Sequence, residues 1–90
     1  MVHILVRHQV EDYGKWKAAF DTDESVRKAG GGAGHQLFRG ADNPNEITIL
    51  LEWDDLAKAQ AFTSSPELKE TMQKAGVLVP PDISFINQAG

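Results

Sequence analysis

The sequence predicts an α+β fold in which one four-stranded antiparallel sheet carries two helices on a single face. Three observations carry that reading. Residues 2–10 alternate between apolar and polar side chains, the period of a strand buried on one side. Tyr13, Trp16 and Phe20 then recur at spacings of three and four, one stripe of an amphipathic helix. A strand pair, a second apolar helical stripe and a last strand follow, giving the order strand, helix, strand, strand, helix, strand.

Each element has its local cause. In the first strand Val2, Ile4, Val6, His8 and Val10 share one face, while His3, Leu5, Arg7 and Gln9 share the other. Glu11-Asp12 supply an N-cap, because a short carboxylate accepts the free amides of a first helical turn. The helix is expected to reach about Lys28 and to stop at Gly30, Gly31 and Gly32, which favour turn geometry. A second strand is expected over about 35–40, and Ala41-Asp42-Asn43-Pro44-Asn45 turns it into a third strand at 47–53. Asp54 or Asp55 caps the second helix, with Leu56, Ala59 and Phe62 inward. Ser64-Ser65-Pro66 restarts that helix with a serine cap and a proline at its first position, leaving Leu68, Met72 and Ala75 inward. Gly76 and the pair Pro80-Pro81 end it, and residues 83–87 read as the closing strand.

This order with a central hairpin is the ferredoxin-like βαββαβ layout. Right-handed crossovers place both helices on the same side of the sheet. Val2, Ile4, Val6, Val10, Ile47, Ile49, Leu51, Trp53, Ile83 and Phe85 are apolar enough to lie beneath them. The other face mixes Leu5, Leu37 or Phe38, Leu50 and Ile86 with His3, Arg7, Gln9, Thr48, Glu52 and Ser84. An apolar patch of that kind is rarely left wet, so a homodimer joined through the open sheet face is expected.

Length and composition narrow the function classes. Ninety residues are read as one domain over 1–90. A chain this short has a thin core and commonly needs a disulfide, a metal or a partner subunit. With no cysteine, disulfides, thiolate catalysis and cysteine-based metal sites are excluded, which again favours self-association. The net charge of −4 falls in residues 46–90, where Lys58, Lys69 and Lys74 face seven acids. Without clustered positive charge, nucleic acid is not an expected partner. The aliphatic run at 47–51 is far below the roughly 20 residues of a membrane helix, so no membrane partner is expected. The opening MVHILVRHQV meets Arg7 too early for a signal-peptide core, and cytoplasmic residence is the expectation.

The segments VEDYGKWKAAFD, RGADNPNEITILLEWDDLAKAQAFTSSPELKE and AGVLVPPDISF resemble the antibiotic-biosynthesis-monooxygenase-like proteins of the dimeric α+β barrel superfamily. The likeness spans nearly the whole chain. Its most specific part is the Glu52-Trp53 strand ending, the Ala-rich helix and the Ser65-Pro66 restart. Within that group the chain is similar to small proteins labelled cyclases. The resemblance implies a dimer whose two sheets close into a barrel. It also implies activities ranging over cofactor-free oxygenation of aromatic polyketides and quinols, haem degradation, cyclisation and lactone isomerisation. Relatives often carry a histidine nine residues after the strand-ending tryptophan. Phe62 stands there in this chain, which speaks against haem ligation.

His35 and His8 are the candidate catalytic bases, being groups that titrate near neutral pH without special help. His3 lies with Arg7 on the open face, where polar packing across the sheets is its expected role. Tyr13, Trp16, Phe20, Arg39, Trp53, Phe62, Met72 and Phe85 are candidate lining for a pocket between helices and sheet, shaped for a small apolar or aromatic ligand. The same rings could instead fill that space as core, and Arg39 could pair with an acid at the surface. No metal site is expected, since no two histidines share an element at ligand spacing, and no cofactor is expected. Ser64 and Ser65 read as caps rather than nucleophiles, and Gly30 to Gly34 leave a helix rather than feed one, the wrong order for a phosphate loop. The expected function is binding of an aromatic small molecule, with cofactor-independent oxygenation or cyclisation and isomerisation as the enzymatic forms. The rival readings are a non-catalytic ligand-binding or stress-response dimer, and a structural module acting through its acidic C-terminal half.

Overall fold

Alternating side chains and capped apolar stripes produce eight elements in the computed structural model: β1 (Val2–Gln9), α1 (Tyr13–Thr22), α2 (Glu24–Gly30), β2 (Gly32–Arg39), β3 (Glu46–Trp53), α3 (Leu56–Thr63), α4 (Pro66–Lys74) and β4 (Asp82–Ile86). Residues 2–78 and 80–89 are described. Met1 of the opening segment, Val79 before the proline pair and the terminal Gly90 lie outside the described residues. The sheet order is β2-β3-β1-β4 with every pair antiparallel, the ferredoxin-like arrangement.

Both expected helices are broken in two. The first is interrupted at Asp23 (φ −88°, ψ 8°), whose amide turns back to the Ala19 and Asp21 carbonyls. The Thr22 hydroxyl donates to the Ala18 carbonyl at 2.9 Å, a side-chain bond that competes with helix continuation. The second break is the Ser65 restart, where the serine side chain accepts from the Leu68 amide. Asp12 and Asp55 are the remaining side-chain caps, accepting from the Lys15 and Lys58 amides. Leu56, expected inward, is exposed, because it opens α3 at the rim rather than lying over the sheet.

The second strand begins at Gly32, three residues before the expected start. Gly31 sits in the left-handed region (φ 116°) and ends α2, and a side chain on Gly32 would approach the Arg27 carbonyl oxygen to 2.8 Å. The glycine run is thus the close crossing of helix end and strand start, and its irregular register between Gly32 and Gly34 is a bulge. The last strand ends at Ile86, one residue short of the expectation.

Register sorts the faces. Val2, Ile4, Val6 and His8 oppose Trp53, Leu51, Ile49 and Ile47, and all eight are buried under the helices. On β2, His35, Leu37 and Arg39 share that face, so Phe38, opposite Thr48, is the residue on the open side. Trp53 is fully buried. Its indole N–H donates to the Gly30 carbonyl at 3.1 Å, and its ring tilts against Phe62 at 4.4 Å between centroids. The sheet floor and this tryptophan corner hold the helices far enough from the strands to leave space between them.

Candidate functional site

That space is a cavity of about 190 Å³. Its floor is Val6, Ile49, Leu51 and Ile83 from three strands, and its walls are Trp16 and Phe20 of α1, Phe62 of α3, and Leu68 and Met72 of α4. An apolar cavity of about 150 Å³ is enough to hold benzene, so this one suits a guest of one or two fused rings. The rings line the space without closing it. Trp16 stacks on Phe20 with centroids 5.1 Å apart and planes 22° from parallel, and tilts against Tyr13 at 6.1 Å.

Two polar groups stand deep in this lining. His8 ends the buried face of β1, is 5% exposed, and meets the Trp16 ring edge-on at 5.5 Å. Its buried Nδ1 has no hydrogen-bond partner among the described residues. Burial pushes the imidazole pKa down from 6.5, with the backbone at Ile47 and at His8 itself acting weakly the other way. His8 therefore brings to the lining a buried imidazole that burial biases toward the neutral form and that keeps one ring nitrogen without a partner among the described residues.

The second is Arg27, 7% exposed, which lines the cavity from α2. Its Nη1 donates to the Phe20 carbonyl at 2.7 Å, and the guanidinium carbon lies 3.6 Å from the Phe20 ring centroid. Burial lowers its pKa, opposed by Glu24, Asp23 and Asp21. Arg27 did not stand out in the sequence, although it lies seven residues after Phe20 and so continues the Trp16–Phe20 stripe by two helical turns. Thr63, Ser65 and Thr71 bring hydroxyls to the lining, and Asp23 and Glu67 bring carboxylates.

The other expected site residues lie elsewhere. Arg39 places its guanidinium carbon 3.8 Å from the Tyr13 ring centroid and donates from Nε to the Pro44 carbonyl at 2.8 Å. With the Tyr13 amide bonded to Asn45 Oδ1, these residues tie the start of α1 to the β2–β3 turn. Trp53 stands behind Phe62 and supports the wall. Phe85 shares the helix-side face by register but is 36% exposed on the edge strand. His35 is exposed and meets Phe20 edge-on at 5.0 Å, lining a second groove with Glu24, Lys28 and Trp53 that shares Arg27 and Leu51 with the cavity. Trp16, Phe20, Phe62 and Met72 are therefore the expected lining residues that the fold brings together, with His8 as the histidine among them.

Among the described residues, no three His, Asp or Glu side chains converge as a metal site. Among the described residues no helix is long and apolar enough to cross a membrane.

A four-stranded antiparallel sheet with helices on one face and an aromatic-lined cavity between the layers defines a small ferredoxin-like α+β protein. Residues 1–74 match the antibiotic biosynthesis monooxygenase family, and the chain belongs to it. Solved structures agree at the level of fold. A candidate antibiotic biosynthesis monooxygenase of Bordetella bronchiseptica superposes with a TM-score of 0.81 at 15% identity, over 98% of this chain and 96% of that one. SnoaB, a cofactor-independent oxygenase of Streptomyces nogalater, gives 0.78 at 15% identity, over 99% and 93%. Rv0793 of Mycobacterium tuberculosis gives 0.72 at 14% identity, over 99% and 95%. No curated protein matches the sequence.

Proposed function

We propose that this chain is a cofactor-independent oxygenase of small hydroxylated aromatic compounds, working in the cytoplasm as a homodimer, with His8 as its base. The observation that carries the proposal is the unpaired, buried Nδ1 of His8 in an aromatic-lined cavity. Family membership and the likeness in fold to SnoaB support oxygenation over the cyclase and isomerase readings. In the proposed step the imidazole takes a proton from an acidic hydroxyl or ring methylene, leaving an electron-rich carbanion or phenolate. That anion reduces dioxygen with its own electrons. A ring methylene and one dioxygen become a ring carbonyl and one water, and the proton held on His8 returns to the departing oxygen. Exclusion of water by Trp16, Phe20 and Phe62 keeps the anion from being quenched before oxygen reaches it.

Oxygen uptake measured with a panel of dihydroxynaphthalenes and anthrones tests this directly. His8→Ala is expected to lower kcat by about a hundredfold or more, the usual weight of a positioned base. His35→Ala, outside the cavity, is expected to leave it near wild type. Unchanged turnover in His8→Ala removes the histidine from the chemistry. Ligand-induced thermal stabilisation without oxygen uptake would instead make the chain a non-catalytic binder.

A further inference from the structure

Arg27 has no role in that proton transfer, yet its placement is costly. A guanidinium taken out of water needs compensation, and buried cations are ordinarily paired with a carboxylate. Among the described residues no carboxylate lies within ion-pair distance of Arg27. One carbonyl bond to Phe20 and one ring face are its direct partners, against five N–H donors on the group, while the carboxylates of Glu24, Asp23 and Asp21 act on it from beyond ion-pair distance. The planar fork of arginine is the side chain best matched to a carboxylate, which it can grip with two parallel bonds.

Position adds direction. His8 touches Trp16, Trp16 stacks on Phe20, and Phe20 carries the Arg27 guanidinium, at 5.5, 5.1 and 3.6 Å. His8 and the Arg27 guanidinium are therefore joined through one continuous wall of stacked rings. Extending the oxygenase reading above, on whose aromatic guest it rests, we propose that the cavity selects small aromatic acids. The acid's carboxylate pairs with Arg27, and its ring system lies along Trp16 and Phe20 with a hydroxyl toward His8. The carboxylates of Asp23 and Glu67 also border the cavity, but Asp23 is half-buried and Glu67 exposed, where water and salt screen them. Arg27 sits deeper, where each charge counts for more. A single cation in the lining matches a single negative charge on the guest, so the fit is to a monoacid.

Calorimetric titration with 6-hydroxy-2-naphthoate and 2-naphthol, at equal ionic strength and without turnover, reads the inference. The two probes share the ring system, and the first carries its hydroxyl and carboxylate at opposite ends. The native protein is expected to bind the acid about tenfold more tightly or better, the weight of one charge-assisted hydrogen bond. Arg27→Met is expected to bind the two probes with equal affinity. Should that variant fail to fold, the native comparison still decides, and Arg27→Lys is expected to keep part of the preference. Equal binding of both probes by the native protein overturns the acid preference and leaves the aromatic site standing. Binding of neither overturns both.

Discussion

His8 is the residue whose environment makes the strongest physical demand. Its folded-state pKa lies below 6.5, so the folded protein holds the neutral imidazole while the unfolded chain, near 6.5, takes up a proton first. The unfolded state therefore binds more protons as pH falls through 6.5, and the folded state loses stability over that window down to its own lower pKa. Thermal melts of the native protein and His8→Gln at pH 7.5 and pH 5 check this: the drop in Tm on acidification is expected to be smaller in the variant. An equal drop in both would mean that His8 is not held neutral by burial. Activity carries the same sign, because a base must be unprotonated: turnover is expected to rise with pH through the lowered pKa and to stay high at neutrality. Trp53 makes a different residue-scale demand, with no exposed surface, an indole bond to Gly30 and a ring against Phe62. Trp53→Ala is expected to cost about 3–5 kcal/mol in urea unfolding and to let the Phe62 wall collapse.

At the scale of the element, two glycines with opposite surroundings give a paired test. Gly31 closes α2 with φ 116°, and a side chain there would also stand 3.1 Å from the Trp53 ring nitrogen. Gly31→Ala is expected to destabilise by about 1–2 kcal/mol, the left-handed penalty. Gly14, in the first turn of α1, would meet nothing nearer than Asp12 Oδ2 at 3.7 Å, so Gly14→Ala is expected to be neutral or stabilising by about 0.5 kcal/mol. Urea midpoints for the two variants moving in the same direction would contradict the assignment. The contrast also explains what the sequence made legible. Strands with an apolar residue at every second position, such as β1 and β3, and helix starts marked by Asp12, Asp55 and Ser65-Pro66 can be read because their causes are local. The start of β2 among glycines cannot, since it depends on the close crossing of Gly32 with Arg27. The break at Asp23 hides in a stretch whose composition suits a continuous helix. The site divides in the same way. Trp16, Phe20, Phe62 and Met72 follow from helical stripes, whereas nothing in the sequence singles out Arg27, since charge is the usual mark of an exposed position. Arg39 and Tyr13 carry polar groups suited to orienting a ligand, but they meet each other instead, a contact that depends on the β2–β3 turn folding back onto α1 and has no local mark in the sequence.

At the scale of the whole molecule, the unfinished feature is the open face of the sheet. The protein is a slab of 31 × 31 × 19 Å with its helices on one broad side. The other side shows Phe38 (52% exposed) and Ile86 (40% exposed) around half-buried Leu5 and Leu50. Arg7 and Glu46 pair there at 3.2 Å, with His3 and Glu52 at 3.9 Å. A stable interface needs about 800 Å² from each partner, which a face of these dimensions can supply. Its mixture of apolar centre and polar side chains suits a second copy of the same surface about a two-fold axis. Leu50 is opposite Leu5 on one neighbouring strand and Gln36 on the other, so it sits near the middle of that face. Leu50→Glu is expected to convert a dimer into a monomer in sedimentation equilibrium, because the new carboxylate would meet its own symmetry mate without water. Circular dichroism is expected to be unchanged, since in a lone subunit the new side chain remains on the solvent side. A native protein that sediments as a monomer would remove the dimer altogether. A Leu50→Glu protein that remains dimeric would move the interface to another surface, and the sheet would then need a different reason for leaving Phe38 and Ile86 in water.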